Sequence, residues 1–198
     1  MGKWQFSTPG IPDEHFVRLP GVPMTKEEVR AITISKLQLF PRACVYDIGA
    51  GSGSVAVECA ILCQGGKVFA VEREEKALEA IRKNIAHFEL HNIESIPGVA
   101  PQAMEELPPA HRIFIGGSGG NLEEILVKAK EKLLPGGRLV VNSVTLDTGP
   151  KAVEFMEKNS FRNIDITSVS IAKAAARGQV KLWQSRNPVQ IVSGTKEE

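Results

Sequence analysis

Net charge is almost absent from this chain: 24 Lys and Arg face 23 Asp and Glu over 198 residues, for a formal value of +1. So neutral a chain has no long-range field to draw in nucleic acid or an anionic membrane, and any anionic ligand must be met by local charges. Cysteine is scarce as well. Cys44, Cys59 and Cys63 are odd in number and form no Cys-x-x-Cys pair, which argues against a disulfide framework and against a zinc site. Cys59 and Cys63 stand four apart in a helical pattern and read as one core-facing stripe. No run approaches the roughly 18 apolar residues of a membrane span. The opening MGKWQFSTPG lacks the basic-then-apolar order of a signal peptide, so a cytoplasmic protein is expected. What is present is a 42% hydrophobic content, enough for one core in a chain of single-domain length.

Pro9, Pro12, Pro20 and Pro23 give residues 1–24 the composition of an extended arm that packs over something. The remainder, 25–198, reads as one domain. Thr25 and Glu28 have capping-box spacing, which predicts a helix from Thr25 to just before Pro41. Short apolar strands then alternate with helices: CVYDI (44–48), SVAVECAILC, VFAVE (68–72), KALEAIRKNIAHF, ESIPG, RIFIG (112–116), NLEEILVKAKEKLL, RLVVNSV (138–144) and PKAVEFMEKN. NIDITSVSI and PVQIVSG complete seven strands. The expected fold is a doubly wound α/β domain with a mostly parallel seven-stranded sheet. No helix separates the last two strands, so an antiparallel edge strand is expected. Residues 172–187 between them read as a long functional loop.

The most informative stretch is Asp47-Ile48-Gly49-Ala50-Gly51-Ser52-Gly53, at the carboxyl end of the first strand and ahead of a helix, where open α/β sheets bind ligands. The second strand ends in Glu72, roughly 20 residues on, where a carboxylate can accept hydrogen bonds from ribose hydroxyls. A dinucleotide fingerprint counted from Gly49 needs glycine at position 54, but Ser54 stands there. The order D-x-G-x-G-x-G instead resembles motif I of the class I methyltransferases, whose loop wraps the amino-acid part of S-adenosylmethionine (SAM). A second glycine cluster, GGSGG (116–120), follows the fourth strand at the same edge of the sheet.

Taken together, GIPDEHF (10–16), MTKEEVRA (24–31), VYDIGAGSGSVAVE (45–58), GVAPQAM (98–104), IFIGGSGG (113–120) and NPVQI (187–191) resemble the decarboxylating precorrin methyltransferases of cobalamin biosynthesis. The resemblance runs from about residue 10 to residue 192 and looks like the free-standing form of the family. It implies SAM-dependent methylation at C15 of a cobalt-precorrin, with loss of CO2 from the C12 acetate. It also implies a homotetramer. The residues expected to hold SAM are Thr25, Asp47, Gly49, Ala50, Gly51, Ser52, Gly53, Glu72, Arg73, Val99 and Ala100. Family members often carry an acid or amide where this chain has Val99, so adenine is expected to meet backbone groups around Val99 and Ala100. A polycarboxylate tetrapyrrole calls for cations, and Arg18, Lys173, Arg177, Lys181 and Arg186 are the candidates, with Gly116, Gly117, Ser118 and Gly119 leaving room for the macrocycle. Trp183 reads equally well as a stacking platform or as a packing residue. No His-Asp or Cys-His constellation marks a catalytic acid or base, and His15, His87, His91 and His111 are scattered. A sulfonium methyl needs alignment and exclusion of water more than a strong base. Methylation of RNA or of protein isoaspartate, and SAM binding without turnover, remain open on the residues alone.

Overall fold

The computed structural model describes Trp4 and residues 6–197, so the first part of the expected arm (1–3 and 5) and the final Glu198 lie outside the described residues. In chain order the elements are α1 (Glu27–Leu37), β1 (Cys44–Ile48), α2 (Ser54–Leu62), β2 (Lys67–Glu72), α3 (Glu75–His87), β3 (Ile93–Pro97), β4 (Ala110–Ile115), α4 (Leu122–Lys132), β5 (Leu133–Ser143), α5 (Thr148–Lys158), β6 (Phe161–Val169), β7 (Ala172–Arg177), β8 (Val180–Ser185) and β9 (Val189–Lys196). Seven strands form one sheet in the order β3-β2-β1-β4-β5-β9-β6. Strands β1 to β5 pair parallel, whereas β9 runs antiparallel to both β5 and β6. The last two strands of this sheet do pair antiparallel and finish one side. The antiparallel strand is not the edge, however: β9 is inserted one place in, and β6 is the edge strand.

Strand alternation divides the core in two, because successive side chains point to opposite faces. Tyr46, Ile48, Val71, Ile113, Ile115, Leu139 and Val141 pack with residues of α4 and α5 on one face. Val45, Val68, Ala70, Phe114, Val140 and Ile191 pack with α1, α2 and α3 on the other. Cys59 and Cys63 are buried in this second layer. Helix α2 is buried at every position from Ser54 to Ala60; its residues are small or apolar apart from Glu58, whose carboxylate is paired. Helix α3 instead buries one stripe, Ala77, Leu78, Ala80, Ile81 and Asn84, at helical spacing. No helix among the described residues is long and apolar enough to cross a membrane.

Two helices take their N-terminal caps from elsewhere in the chain. The capping box does not form: α1 begins at Glu27 and neither Thr25 nor Lys26 caps it with a side chain. Asp13, in a short 3-10 turn of the arm, accepts the Glu27 N–H at 3.0 Å, and Glu27 returns the bond to the Asp13 N–H at 3.1 Å. Helix α2 starts after Gly53, which has no side chain to offer, and Asp47 on β1 accepts the Ala56 N–H at 2.9 Å instead. Residues 172–187 do not form a loop. They fold into an exposed β7–β8 hairpin that turns through Gly178 (φ 65°) and Gln179, with glycine at the position a type II′ turn prefers. Its alanine- and lysine-rich strands lack the apolar alternation that signals a half-buried strand.

Candidate active site

The sheet reverses its strand order between β1 and β4, and open α/β sheets take ligands in the crevice at such a point. Two cavities open there. The first, of about 520 Å³, lies over the carboxyl ends of β1 and β2. Gly49, Gly51, Glu72, Arg73, Val99, Ala100 and Gly119 border it, together with Gly21, Val22 and Pro23 of the arm. The second, of about 430 Å³, lies over β4 and β5. It is bordered by Thr25, Lys26, Val29, Asn142, Ser143, Thr148, Val169 and Arg186, among others. Pro23, Gly116, Gly117 and Ser118 belong to both walls and divide the two spaces.

The glycines of the first loop are fixed as much by protein as by any ligand. Gly49 has φ 69°, and a Cβ there would overlap the Gly117 backbone, 2.8 Å from its nitrogen. Gly51 has φ 55°, and its Cβ would come within 2.7 Å of the Pro23 carbonyl oxygen, which already accepts the Ser52 N–H at 3.0 Å. The loop is thus clamped between the arm and the β4 turn. Glu72 closes it from beside: one carboxylate oxygen accepts the Gly51 N–H at 2.8 Å, and the other accepts those of Arg73 and Glu74 at 2.8 and 3.1 Å. A carboxylate can take about four hydrogen bonds, so Glu72 keeps capacity for a hydroxyl in the cavity.

The arm is held by a buried ion pair. Arg30 and Glu58 meet at 2.5 Å with side-chain exposures of 0% and 2%. Arg30 also donates to the Ile11 and Thr25 carbonyls, and Glu58 accepts the Gly10 and Ile11 N–H groups at 2.7 and 2.9 Å. Asn84 ties Val17 to the glycine loop through the Ser52 carbonyl at 2.9 Å. These polar groups are buried but paired, which is what makes their burial tolerable.

Asp47, Ala50, Ser52 and Gly53 border neither cavity. Asp47 is buried beneath the loop with Oδ1 unpaired among the described residues, and burial pushes its pKa up to about 7, with the nearby Glu72 charge adding to the rise. Thr25, expected with the cofactor, lies on the second cavity, and Gly119, expected with the substrate, lies on the first. A side chain at Gly119 would meet the Arg73 guanidinium at 2.8 Å, so its absence gives that arginine room.

Of the five candidate cations only Arg186 reaches a cavity. It pairs with Glu28 at 3.0 Å, and Lys173 is bound to Glu27 and to Glu28, the latter at 2.7 Å. Those two carboxylates push the Lys173 pKa up, Glu27 first. Arg18 is exposed away from both spaces, and Arg177 and Lys181 project from the far end of the hairpin. Trp183 is 76% exposed on the same hairpin and borders neither cavity. No histidine borders either one; His111 instead accepts the Cys44 N–H at 3.0 Å. Lys26, Asn142, Ser143 and Thr148 border the second cavity without having been expected there, although Lys26 lies in the MTKEEVRA segment and Asn142 and Ser143 stand at the carboxyl end of a strand, the end the fold reserves for ligands.

A family model described as precorrin methyltransferase domain matches residues 20–196. A Sulfurisphaera tokodaii protein named probable cobalt-precorrin-6B C(15)-methyltransferase (decarboxylating) is 42% identical over 95% of this chain and 98% of its own. Among solved structures, precorrin-6y C5,15-methyltransferase from Geobacter metallireducens superposes with TM-score 0.89 at 41% identity, covering 96% of this chain and 99% of that one. Precorrin 8W decarboxylase from Methanobacterium thermoautotrophicum superposes with TM-score 0.87 at 33% identity, over 93% and 98%. With the motif I loop, the doubly wound sheet and the paired cavities already in place, these likenesses settle the kinship: the chain belongs to the precorrin methyltransferase domain family.

Proposed function

We propose that this protein transfers the methyl group of SAM to C15 of cobalt-precorrin-6B and releases the C12 acetate carboxyl as CO2, giving cobalt-precorrin-7. The observation that carries the reading is the pair of cavities meeting at Gly116–Ser118, one walled by the glycine loop and Glu72 as a nucleoside needs, the other mostly apolar with two cations as an apolar acid needs. Both volumes fall in the range of small-molecule sites.

The first cavity's walls fit SAM. Glu72 would take a ribose hydroxyl, the glycine backbones leave space for the amino-acid part, and Val99, Ala100 and Ile125 offer an apolar surface to adenine. When bound there, SAM supplies an electrophilic methyl group. The chain's own work is positional: the arm residues Gly21–Pro23 roof the site against water, and the small residues at 116–118 leave the path between the cavities open. Across that path Lys26 and Arg186 would receive carboxylates of the substrate, while Val29, Ile115, Leu122 and Val169 face its ring system. No strong base is needed, and no histidine or carboxylate borders the second cavity among the described residues.

The homotetramer implied by the family is part of the proposal. It is supported by the β7–β8 hairpin, which leaves Val180, Leu182 and Trp183 57%, 46% and 76% exposed, an apolar surface that a second copy would cover. Incubation with SAM and cobalt-precorrin-6B tests the function. One S-adenosylhomocysteine and one CO2 per tetrapyrrole are expected. Methyl transfer to RNA or isoaspartyl peptide instead, or SAM binding with no turnover on any of them, would overturn it.

A further inference from the structure

The second cavity is chemically graded. Its two cations, Lys26 and Arg186, come from the start of α1 and the exit of the hairpin, whereas the carboxyl end of β5 contributes the uncharged Asn142 and Ser143. Asn142 is oriented from behind. Thr33, fully buried on α1, has its hydroxyl 2.8 Å from the Val29 carbonyl oxygen and 3.3 Å from the Asn142 amide oxygen; with the proton given to the nearer Val29, its oxygen accepts from the Asn142 amide nitrogen at 2.9 Å. That bond anchors the amide on α1 and consumes one of its two N–H groups. No second acceptor meets the amide nitrogen among the described residues, and Asn142 borders the cavity.

Loss of CO2 moves negative charge off a carboxylate. A cation beside that carboxylate would stabilise the starting state more than the transition state and slow the step, whereas a neutral donor in apolar surroundings orients it without that penalty. We propose, resting on the function above, that Asn142 holds the departing carboxylate with Thr33 as its positioning residue, and that Lys26 and Arg186 take carboxylates that are retained. In the step, the bond between the acetate methylene and its carboxyl carbon breaks. Its electron pair passes into the conjugated macrocycle, CO2 leaves, and the methylene takes up one proton from solvent to become a methyl group.

The test compares two substrates: cobalt-precorrin-6B, and the same tetrapyrrole already carrying methyl in place of the C12 acetate. The second gives Asn142 nothing to hold. Asn142→Ala should slow turnover of the first about tenfold or more and methylate the second at the wild-type rate, whatever the order of the two events. Thr33→Val should show the same selectivity to a smaller extent, and Thr33→Ser, which keeps the hydroxyl, should behave as wild type. The comparison is internal, so partial misfolding would lower both rates equally. An equal loss on both substrates, or no loss on either, would overturn the assignment. Wild-type enzyme that methylates both substrates without releasing CO2 from the first would overturn the parent reading and this one with it.

Discussion

The two cavities share a wall but are built in opposite ways. Most of the first is local: Gly49, Gly51 and Glu72 lie within 24 positions of one another on two adjacent strand ends, and the glycines are fixed by neighbouring backbone. The second draws on α1, the β4 turn, the end of β5, the end of β6 and the exit of the hairpin, segments spread from Pro23 to Val189. A site made of backbone and one strand-end acid tolerates little change and binds one kind of ligand. A site made of side chains from many segments can be refitted without disturbing the sheet. On the proposed reading, the methyl donor belongs to the first and the substrate to the second.

The largest expected effect would break the contrast altogether, because arm residues border both spaces, Gly21 to Pro23 the first and Pro23 and Met24 the second. Arg30→Ala leaves Glu58 buried without its partner and should cost about 3–5 kcal/mol of stability. Denaturant unfolding reads it, and SAM and tetrapyrrole binding should weaken together. A loss confined to one ligand would show that the arm serves only one cavity.

A second test bears on the floor of the first cavity. The Asp47 pKa is raised to about 7 in the fold, above its unfolded value of 3.8, so the native state binds more protons between those limits. Stability should therefore fall as pH rises from about 4 to about 7, by an amount on the order of 4 kcal/mol at full ionisation. Asp47→Asn should lose that slope, as pH-dependent thermal melts would reveal. A slope of the opposite sign would mean that the α2 N-terminus and its N–H groups outweigh burial.

Glu72→Ala sharpens the comparison. Removing a charge-assisted acceptor costs about 1.5–3 kcal/mol, or at least tenfold in SAM affinity by calorimetry, and tetrapyrrole binding should be unaffected. The converse and smallest effect belongs to the cations. Lys26→Ala with Arg186→Ala should raise KM for the tetrapyrrole about tenfold and leave the SAM affinity unchanged, whereas Arg177→Ala with Lys181→Ala should change neither. A raised KM in the hairpin pair would return those residues to the substrate site.

The same asymmetry governs what the sequence discloses. Strand and helix order follow from periodicity, and Glu72 stands out because a strand-end acid follows a glycine loop at a fixed distance. The reasons for two of those glycines were not visible: Gly49 yields to Gly117 and Gly51 to Pro23, partners 68 and 28 positions away. Capping failed for the same cause. Thr25 and Glu28 have the right spacing, but Asp13 arrives from the arm and takes the helix end. Charge alone picked five cations, and the hairpin carried two of them, Arg177 and Lys181, to its far end, because nothing in AKAAARGQVK announces a strand. Asn142 was silent because an amide gains meaning only from Thr33, 109 positions away and on the facing helix.

The division of labour across Gly116–Ser118 is tested most directly by a crystal structure with S-adenosylhomocysteine bound. The ribose should lie against Glu72, and the sulfur should stand beside the shared wall, turned toward the cavity of Lys26, Asn142 and Arg186. A ligand seated in that second cavity, or a sulfur facing away from the wall, would contradict the account.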